Sequence, residues 1–579
     1  MNTQTSEVLH KDLQDVAPVP MSGAEAVMES LVREGVDLMF GYPGGAIMPV
    51  YDALYSYTDR IKHVLVRHEQ GAVHSAQGYA RTTGRVGVAL VTSGPAATNA
   101  VTGIADAMID STPIVVISGQ VSSHLLGTDA FQETDVVGIT QPITKWNYQV
   151  TRAEEIPWAM ARAFYLARSG RPGPVLLDIT KDAQFGKLNY VYRKMKSVRS
   201  YNPYPQPDLY KIDEASHLIN LSKKPLALIG QGVVLGNAEK ELIDFLEKTG
   251  IPAAWTILGL SALPTDHNLN VGMLGMHGNY GPNIKTNEAD LIIAIGMRFD
   301  DRVTGNTQRY ATKAKVIHME IDPSEINKII HADVPVLGNV KETLPLLSEK
   351  VSKNDHSAWL EEFKACYRIE YERLIHKELF PEKPELTMGE VIRRVSEACN
   401  HDAIMVTDVG QNQMMATRYF GFRQSRSVVT SGGLGTMGFG LPAAIGAKMG
   451  QPHRNVVLFV GDGGFQMTIQ ELGTIYQEKV AVKIILLNNN FLGMVRQWQE
   501  LFFDFRYAST AMTNPDFQTI AKGYYIPGKK VTQRESLDEA IKTMMETDGP
   551  FLLEVVVEKE GNVFPMVPAG ASVDEIRLE

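Results

Sequence analysis

Residues 456–472, VVLFVGDGGFQMTIQEL, and residues 482–494, VKIILLNNNFLGM, decide how the rest of the chain is read. Each begins with an apolar, β-branched run and ends in small or polar residues. That is the pattern of a buried parallel strand delivering a loop to the edge of its sheet. The first run ends in Gly461-Asp462-Gly463-Gly464, the second in Asn488-Asn489-Asn490. A carboxylate and an amide at the tips of neighbouring strands can share one divalent cation through oxygen ligands. Glycines let backbone approach a phosphate closely. The stretch predicts a cradle for a metal diphosphate. Gly-Asp-Gly alone also makes ordinary turns. The Asn run favours the cradle: Asn489 lies 27 residues beyond Asp462, about the length of one strand–helix–strand unit.

The same alternation fills the chain. Strand-like runs fall at 86–93, 113–119 and 174–180, then at 225–230, 291–297 and 316–321, then at 403–408, 456–461, 482–488 and 551–557. Helical patterns such as GAEAVMESLVREG and DEASHLINLSKK lie between them. Buried strands alternating with helices imply parallel sheets covered on both faces, so the fold class is α/β with three doubly wound domains. The expected division is a flexible N-terminal tail (1–20), a first domain (21–190), a Pro/Tyr/Lys-rich linker (191–207) and a central domain (208–352). A charged, helix-bearing linker (353–385), a last domain (386–566) and a C-terminal tail (567–579) complete it. The first and last domains are of similar size.

Composition narrows the function. The chain has 579 residues, 44% of them hydrophobic, and a net charge of −10, so it can build full cores. No block of Lys and Arg stands out, which argues against nucleic acid as a partner. The two cysteines, Cys366 and Cys399, have neither disulfide-framework nor zinc spacing, which fits a reducing compartment. No apolar run approaches the ~18 residues of a membrane span, and the first 20 residues contain no apolar signal region. A soluble, cytosolic protein is expected.

The GDG…NN spacing resembles the thiamin-diphosphate-binding motif. That resemblance implies metal ligation by the side chains of Asp462 and Asn489 and by the carbonyl of Phe491, with Gly461, Gly463, Gly464 and Met494 around the diphosphate. In RHEQGAVHSAQGYAR, Glu69 follows the strand-like HVLV and starts a helix. A carboxylate there is also an ordinary helix-dipole partner. Beside a thiamin motif, RHEQGA resembles the segment whose glutamate engages the pyrimidine ring and draws the 4′-amine toward its imino form. SGGLGTMGFGLPAAIGA (431–447) is a Gly-rich loop feeding a helix; the resemblance places Gly435 near the cofactor and Met437 as the wedge that bends it. In DVGQNQMM, Val409, Gly410 and Gln411 resemble diphosphate or pyrimidine contacts.

A longer resemblance runs from about Pro20 to Met566. GYPGGAIMPVYDAL, RHEQGA, DAFQETDVVGITQPITKWN, RPGPVLLDITKD, GMHGNYGPN, GMRFDDRVTG and GMVRQWQE together resemble the catalytic large subunit of the acetohydroxyacid (acetolactate) synthase family. Two departures are visible: Asn412 stands where His is more usual, and Asn490-Phe491-Leu492 replaces a more polar triplet. The family implies thiamin diphosphate, Mg2+ and FAD. The central domain carries only Gly230-Gln231-Gly232, a fragment of a dinucleotide fingerprint, although Glu320 or Asp322 at a strand end suits a ribose. By resemblance Arg171, Gly230, His277, Arg298, Glu320, Asp322 and Asn339 surround the flavin, which performs no net redox chemistry.

The resemblance also places Gln132 near the reacting centre and Arg302 against a 2-ketoacid carboxylate. It gives Trp498 the selection of 2-ketobutyrate over a second pyruvate, and Lys181 a place at the entrance. As residues alone, Arg302 also reads as a surface ion pair, Trp498 as a packed aromatic and Lys181 as an exposed lysine. The implied reaction is decarboxylation of pyruvate on thiamin diphosphate and condensation with pyruvate or 2-ketobutyrate, giving 2-acetolactate or 2-aceto-2-hydroxybutyrate for branched-chain amino acids. The implied assembly is a homodimer or homotetramer with the active site across the interface, and a small regulatory subunit as a further partner. The rival readings are a catabolic acetolactate synthase, a pyruvate oxidase, a decarboxylase, and a nucleotide-binding protein that has lost catalysis.

Overall fold

The computed structural model describes residues 18–579 and contains three six-stranded, wholly parallel sheets. The N-terminal sheet is ordered Lys62–Leu65, Leu38–Gly41, Gly87–Val91, Ile114–Gln120, Pro174–Thr180, Trp146–Val150. The C-terminal sheet is ordered Val428–Val429, Ile404–Thr407, Val456–Gly461, Val482–Asn488, Phe551–Val556, Gly528–Val531. With each sheet's strands numbered along the chain, both read 2-1-3-4-6-5. The two outer domains therefore share one topology, a relation their sequences leave open.

The central sheet reads 3-2-1-4-5-6, the order of dinucleotide-binding folds. Its topological switch lies between Pro225–Ile229 and Leu291–Ile295, and a ligand crevice is expected beyond their C-terminal ends. Gly230 and Gly296 sit at those ends. A Cβ on Gly230 would lie 2.1 Å from the Gly296 carbonyl oxygen, so the two strand exits close on each other through bare backbone.

Buried apolar strands form where the sequence is a continuous aliphatic run. All of Pro174–Thr180 and all of Val482–Asn488 are buried. The edge strand Trp146–Val150 is half-buried and partly polar, as an edge requires. The helix Glu69–Thr83 packs against Gly440–Gly450 and joins the N- and C-terminal domains in one continuous core. Both helices are rich in small residues for a steric reason. A Cβ on Gly78 would lie 2.0 Å from the Ala443 carbonyl oxygen, and one on Gly446 would lie 1.8 Å from that of Ser75. The Ser75 hydroxyl donates to the Pro442 carbonyl at 2.8 Å across the same contact.

The connecting segments are structured. Residues 1–17 of the expected N-terminal tail lie outside the described residues; Val19–Ser22 pairs antiparallel with Lys187–Tyr190. In the segment 353–385, the helix Ser357–Glu370 buries Trp359 and Phe363 in the central domain. It ends at Glu370, which pairs with Arg418 at 2.6 Å with both side chains fully buried. Residues 567–579, expected as a tail, are docked on the central domain. Ser572 bridges Gly305, Val573 is buried, and Glu575 pairs with Arg309 at 2.9 Å. The docked segment covers apolar surface of the central domain that would otherwise be wet.

The Gly446 contact gives a direct test. Gly446→Ala forces the two helices apart and should destabilise the chain by about 1–3 kcal/mol. It should appear as an earlier thermal unfolding transition, whereas Gly523→Ala, whose Cβ meets nothing, should leave the interdomain packing unchanged.

Candidate functional site

Three helices begin around the predicted cradle: Gln411–Tyr419, Asp462–Met467 and Gly493–Phe502. Their first N–H groups and dipoles favour an anion. The floor between them has no room for side chains. A Cβ on Gly464 would lie 2.2 Å from Asp408 Oδ1, one on Gly463 2.6 Å from Leu492 Cδ2, and one on Gly493 2.1 Å from Gln411 Oε1. Met437 reaches this floor, its Cε lying 3.6 Å from the same Gly463 position.

Asp462 is 1% exposed, and among the described residues no lysine or arginine lies within ion-pair distance of it. Burial raises its carboxyl above the usual carboxylate range, opposed by the hydrogen bond from Asn514. An uncompensated buried carboxylate is costly, and a divalent cation offsets that cost. Asn489 Oδ1 accepts from Phe491 N–H at 3.1 Å, which keeps the Asn489 amide and the Phe491 main chain together. The donor set is oxygen throughout, which suits Mg2+. Asn412 Oδ1, buried beside Gly461, has no hydrogen-bond partner. The tight floor, the converging helix ends and the buried Asp462 carboxylate fit a bound metal diphosphate.

Asn514 is a residue the sequence reading missed. Its Nδ2 donates to Asp462 Oδ2 at 2.6 Å and to Asn488 Oδ1 and Asn490 Oδ1 at 3.1 Å each. It binds both strand tips at once. Nothing in a lone asparagine 52 positions away announces this role. Asp408 was also missed. It is fully buried and accepts from the N–H of Val409, Gly438 and Gly440, so it shapes the turn that carries Met437.

The Gly-rich loop is held from the other domain. Arg81 of the Glu69–Thr83 helix donates to the Thr430 carbonyl at 2.6 Å and to Asp110 Oδ2 at 2.8 Å. Asp110 accepts from the N–H of Gly432 and Gly433 at 2.8 and 2.7 Å, and Asp106 accepts from the hydroxyls of Ser431 and Thr436.

A cavity of about 660 Å³ runs from the central-domain switch point to the cradle's edge. This volume lies in the range of cofactor and small-molecule sites. Gly232, Gly236, Gly296 and Asn339 line its central-domain end, and Val409, Gly435, Met494 and Trp498 line the other. Arg171, His277, Arg298, Arg302 and Glu320 also face it. Burial pushes the Glu320 carboxyl up to about 7, although the N–H groups of Ile321 and Asp322 bond its Oε1. Burial pushes the His277 imidazole down to about 4, so it is neutral near pH 7. Arg171 reaches in from the N-terminal domain and pairs with Glu325 at 2.6 Å and Asp322 at 3.4 Å. The strand order, the bare glycine backbone and the acid at a strand end fit a dinucleotide such as FAD. Two predicted residues stand back from the cavity: Gly230 supports Gly296 from behind, and Asp322 holds Arg171.

Comparison with known proteins agrees with this geometry. Models of thiamine pyrophosphate enzymes match in order: the N-terminal TPP binding domain over residues 21–139, the central domain over 212–347 and the C-terminal TPP binding domain over 408–555. The acetolactate synthase large subunit of Lactococcus lactis is 44% identical over 564 residues, 96% of each chain. That of Corynebacterium glutamicum is 46% identical over 581 residues, 97% of this chain and 91% of that one. The large subunit of acetolactate synthase isozyme 2 of Escherichia coli is 44% identical over 568 residues, 96% of this chain and 99% of that one. The chain belongs to the acetolactate synthase family of thiamine pyrophosphate enzymes.

Within this family member the predicted residues fall into two groups. The cradle, Trp498 and Arg302 lie around the C-terminal and central domains. Arg302 is 58% exposed at the cavity and 3.8 Å from Asp301, and Trp498 meets Phe502 edge-on at 5.6 Å. Glu69, Gln132 and Lys181 lie on the N-terminal domain and do not line the cavity. Glu69 begins its helix behind the N-cap His68, and its Oε2 accepts from Asn99 at 2.9 Å. Asn99 ends the short helix Pro95–Asn99, and Gly94 just before that helix packs against Gln132, so one segment sets both residues. Lys181 is half-buried and begins the helix Lys181–Phe185.

Removing one partner of a buried ion pair leaves the other charge stranded. Asp110→Ala should cost about 3–5 kcal/mol in thermal or urea unfolding. It should also raise amide exchange at Gly432 and Gly433, whose N–H groups lose their acceptor.

Proposed function

We propose that this chain is the catalytic subunit of an acetolactate synthase. It decarboxylates pyruvate and joins the two-carbon unit to a second pyruvate or to 2-ketobutyrate, giving the precursors of valine, leucine and isoleucine. The observation that carries the reading is the oxygen cradle of Asp462, Asn489 and Phe491 opening beside a cavity walled by Trp498 and Arg302. When bound, thiamin diphosphate supplies the electron sink that lets carbon dioxide leave a 2-ketoacid.

The residues divide the remaining work. Asp462, Asn489 and the Phe491 carbonyl would hold Mg2+, and Val409, Gly410, Gln411 and the glycines 461, 463 and 464 would receive the diphosphate. Glu69 holds a proton at the pyrimidine N1′, with Asn99 fixing its carboxyl. Met437, at the cradle floor, would pack against the bound cofactor and help set its shape. The Arg302 guanidinium attracts the ketoacid carboxylate, and Trp498 selects the acceptor by shape. Gln132 lies beside the reacting centre and Lys181 at the entrance. Closing the site around these groups excludes water, so a ketoacid rather than a proton becomes the acceptor. Arg171, Arg298, Glu320 and Asn339 would hold FAD in a structural role.

The division of residues between domains supports a dimer in which Glu69 serves the partner's cradle. Phe131, beside Gln132, is 87% exposed, and Met467, at the end of the Asp462 helix, is 56% exposed. Large apolar residues next to both half-sites suit burial by a second copy. The large-subunit names of the relatives point to a small regulatory subunit as an additional partner. Among the described residues no helix is long and apolar enough to cross a membrane, and the reading places the enzyme in the cytoplasm.

The deciding assay gives purified protein pyruvate, with and without 2-ketobutyrate, and identifies the products. 2-Acetolactate and 2-aceto-2-hydroxybutyrate, formed without an electron acceptor, are expected; acetaldehyde, acetate or peroxide as main product overturns the proposal. Glu69→Gln should lower turnover by about 10²-fold or more. Trp498→Leu should erase the preference for 2-ketobutyrate in a competition assay. Asn514→Ala should weaken Mg2+ binding by about 10- to 100-fold, measured by titration of the metal in the presence of thiamin diphosphate.

A further inference from the structure

Glu471 lies on the turn Ile469–Glu471, directly after the helix Asp462–Met467 that starts at the metal ligand. Its side chain is fully buried, yet it points across the domain boundary. The carboxylate accepts from the main-chain N–H of Arg67 at 3.1 and 3.3 Å, and from Thr474 Oγ1 at 2.7 Å. Arg67 closes the contact from the other side. Its guanidinium donates to the carbonyls of Leu65 and Gly473 at 2.8 and 3.2 Å and to Gln477 Oε1 at 2.9 Å. Gly71 completes the enclosure: a Cβ there would lie 2.5 Å from Glu471 Oε1. Residues 67–71, RHEQG, thus wrap around one carboxylate from another domain, with Glu69 in the middle of the wrap.

We infer that Glu471 is a positioning residue for the proposed reaction: reaching across from the C-terminal domain, it fixes the turn that aims Glu69. The inference rests on the role proposed for Glu69. Three features support it. A buried carboxylate is a costly choice at a mere packing position, where an apolar residue would serve. Burial pushes this one up to about 7, against the hydrogen bonds from Thr474 and Arg67. The main-chain donor it engages is two residues from Glu69, so any tilt of the 67–71 turn moves the Glu69 side chain with it. A carboxylate accepting a main-chain N–H also fixes direction in a way that apolar packing does not.

The test compares Glu471→Ala, Glu471→Gln and Thr474→Val in the full-length holoenzyme. The readouts are kcat, KM for pyruvate, thermal unfolding, and amide exchange over residues 67–71. Glu471→Ala should lower kcat by about 10- to 100-fold, the usual cost of losing an orienting partner, with KM within about twofold. It should also speed exchange at residues 67–71. Glu471→Gln keeps one acceptor oxygen and should recover part of kcat, which also covers the case in which the alanine variant fails to fold. Thr474→Val removes the hydroxyl bond alone and should remain close to the parent protein. Unchanged kcat and exchange in Glu471→Ala overturn the inference. So does a loss of kcat that merely follows thermal stability in all three variants. Glu69→Gln separates the two ideas: retained turnover there defeats the Glu69 role, while the exchange result still reports whether Glu471 holds the turn.

Discussion

Two helices touching through bare backbone set the geometry of the molecule. Glu69–Thr83 and Gly440–Gly450 approach so closely at Gly78 and Gly446 that a single methyl group would collide with a facing carbonyl. Backbone contact leaves little room to slide, unlike an interface of long side chains that can repack. The Arg81–Asp110 pair and Asp106 then pin the Gly-rich loop to the same helix that Glu69 begins. One helix of the N-terminal domain therefore starts with the proposed pyrimidine carboxyl and ends by holding the loop that leads to Met437. Under the proposed dimer its two ends serve two different sites, and the close crossing ties those sites together.

Around this contact, topology assigns the sites. In a doubly wound sheet the loops at the switch point diverge and leave a crevice beyond the strand ends. In the C-terminal sheet that crevice lies between Ile404–Thr407 and Val456–Gly461, which deliver Val409, Gly410 and the GDGG loop. In the central sheet it lies between Pro225–Ile229 and Leu291–Ile295, where Gly230 and Gly296 bring the chain close. The two crevices face one cavity, because Val409, Gly435 and Trp498 line the same space as Glu320 and Asn339. The docked residues 567–579 reinforce this arrangement: Val567 N–H bonds the Met276 carbonyl and Ser572 bridges Gly305, beside loops that carry His277 and Arg302.

Much of the fold was legible in the sequence because buried parallel strands are continuous aliphatic runs. PVLLDIT and VKIILLN became strands over their whole length. Edge strands such as Trp146–Val150 and Gly528–Val531 escaped, because half-exposed strands carry polar residues that break the run. At the candidate site, GDGG and the Asn run were legible because glycine and paired oxygen ligands leave a local signature. Asn514, Asn99, Asp408 and Glu471 were not. Each acts through hydrogen bonds to residues distant in sequence or to main chain, and a lone polar residue has no periodicity to betray its partners. The central-domain cavity stands between these cases. Glu320 at its strand end was readable, but Gly230 and Asp322 act one step behind the surface of the cavity, a difference only packing reveals.

The outer domains share one strand order, yet they divide the chemistry unequally. The C-terminal domain presents oxygen ligands and helix ends, the equipment for a charged diphosphate. The N-terminal domain presents Glu69 on a helix end and Gln132 in a left-handed conformation at φ 59°, the two groups proposed to meet the ring and the reacting carbon. Within one chain Glu69 bonds Asn99 of its own domain, and Asp462 bonds Asn514 of its own. A second copy related by a twofold axis would set each N-terminal half-site against a C-terminal one, and an isologous interface does this twice with a single set of contacts. Exposed Phe131 and Met467 beside the two half-sites are the surfaces such an interface would bury, so in the proposed assembly dimerisation would itself complete the site.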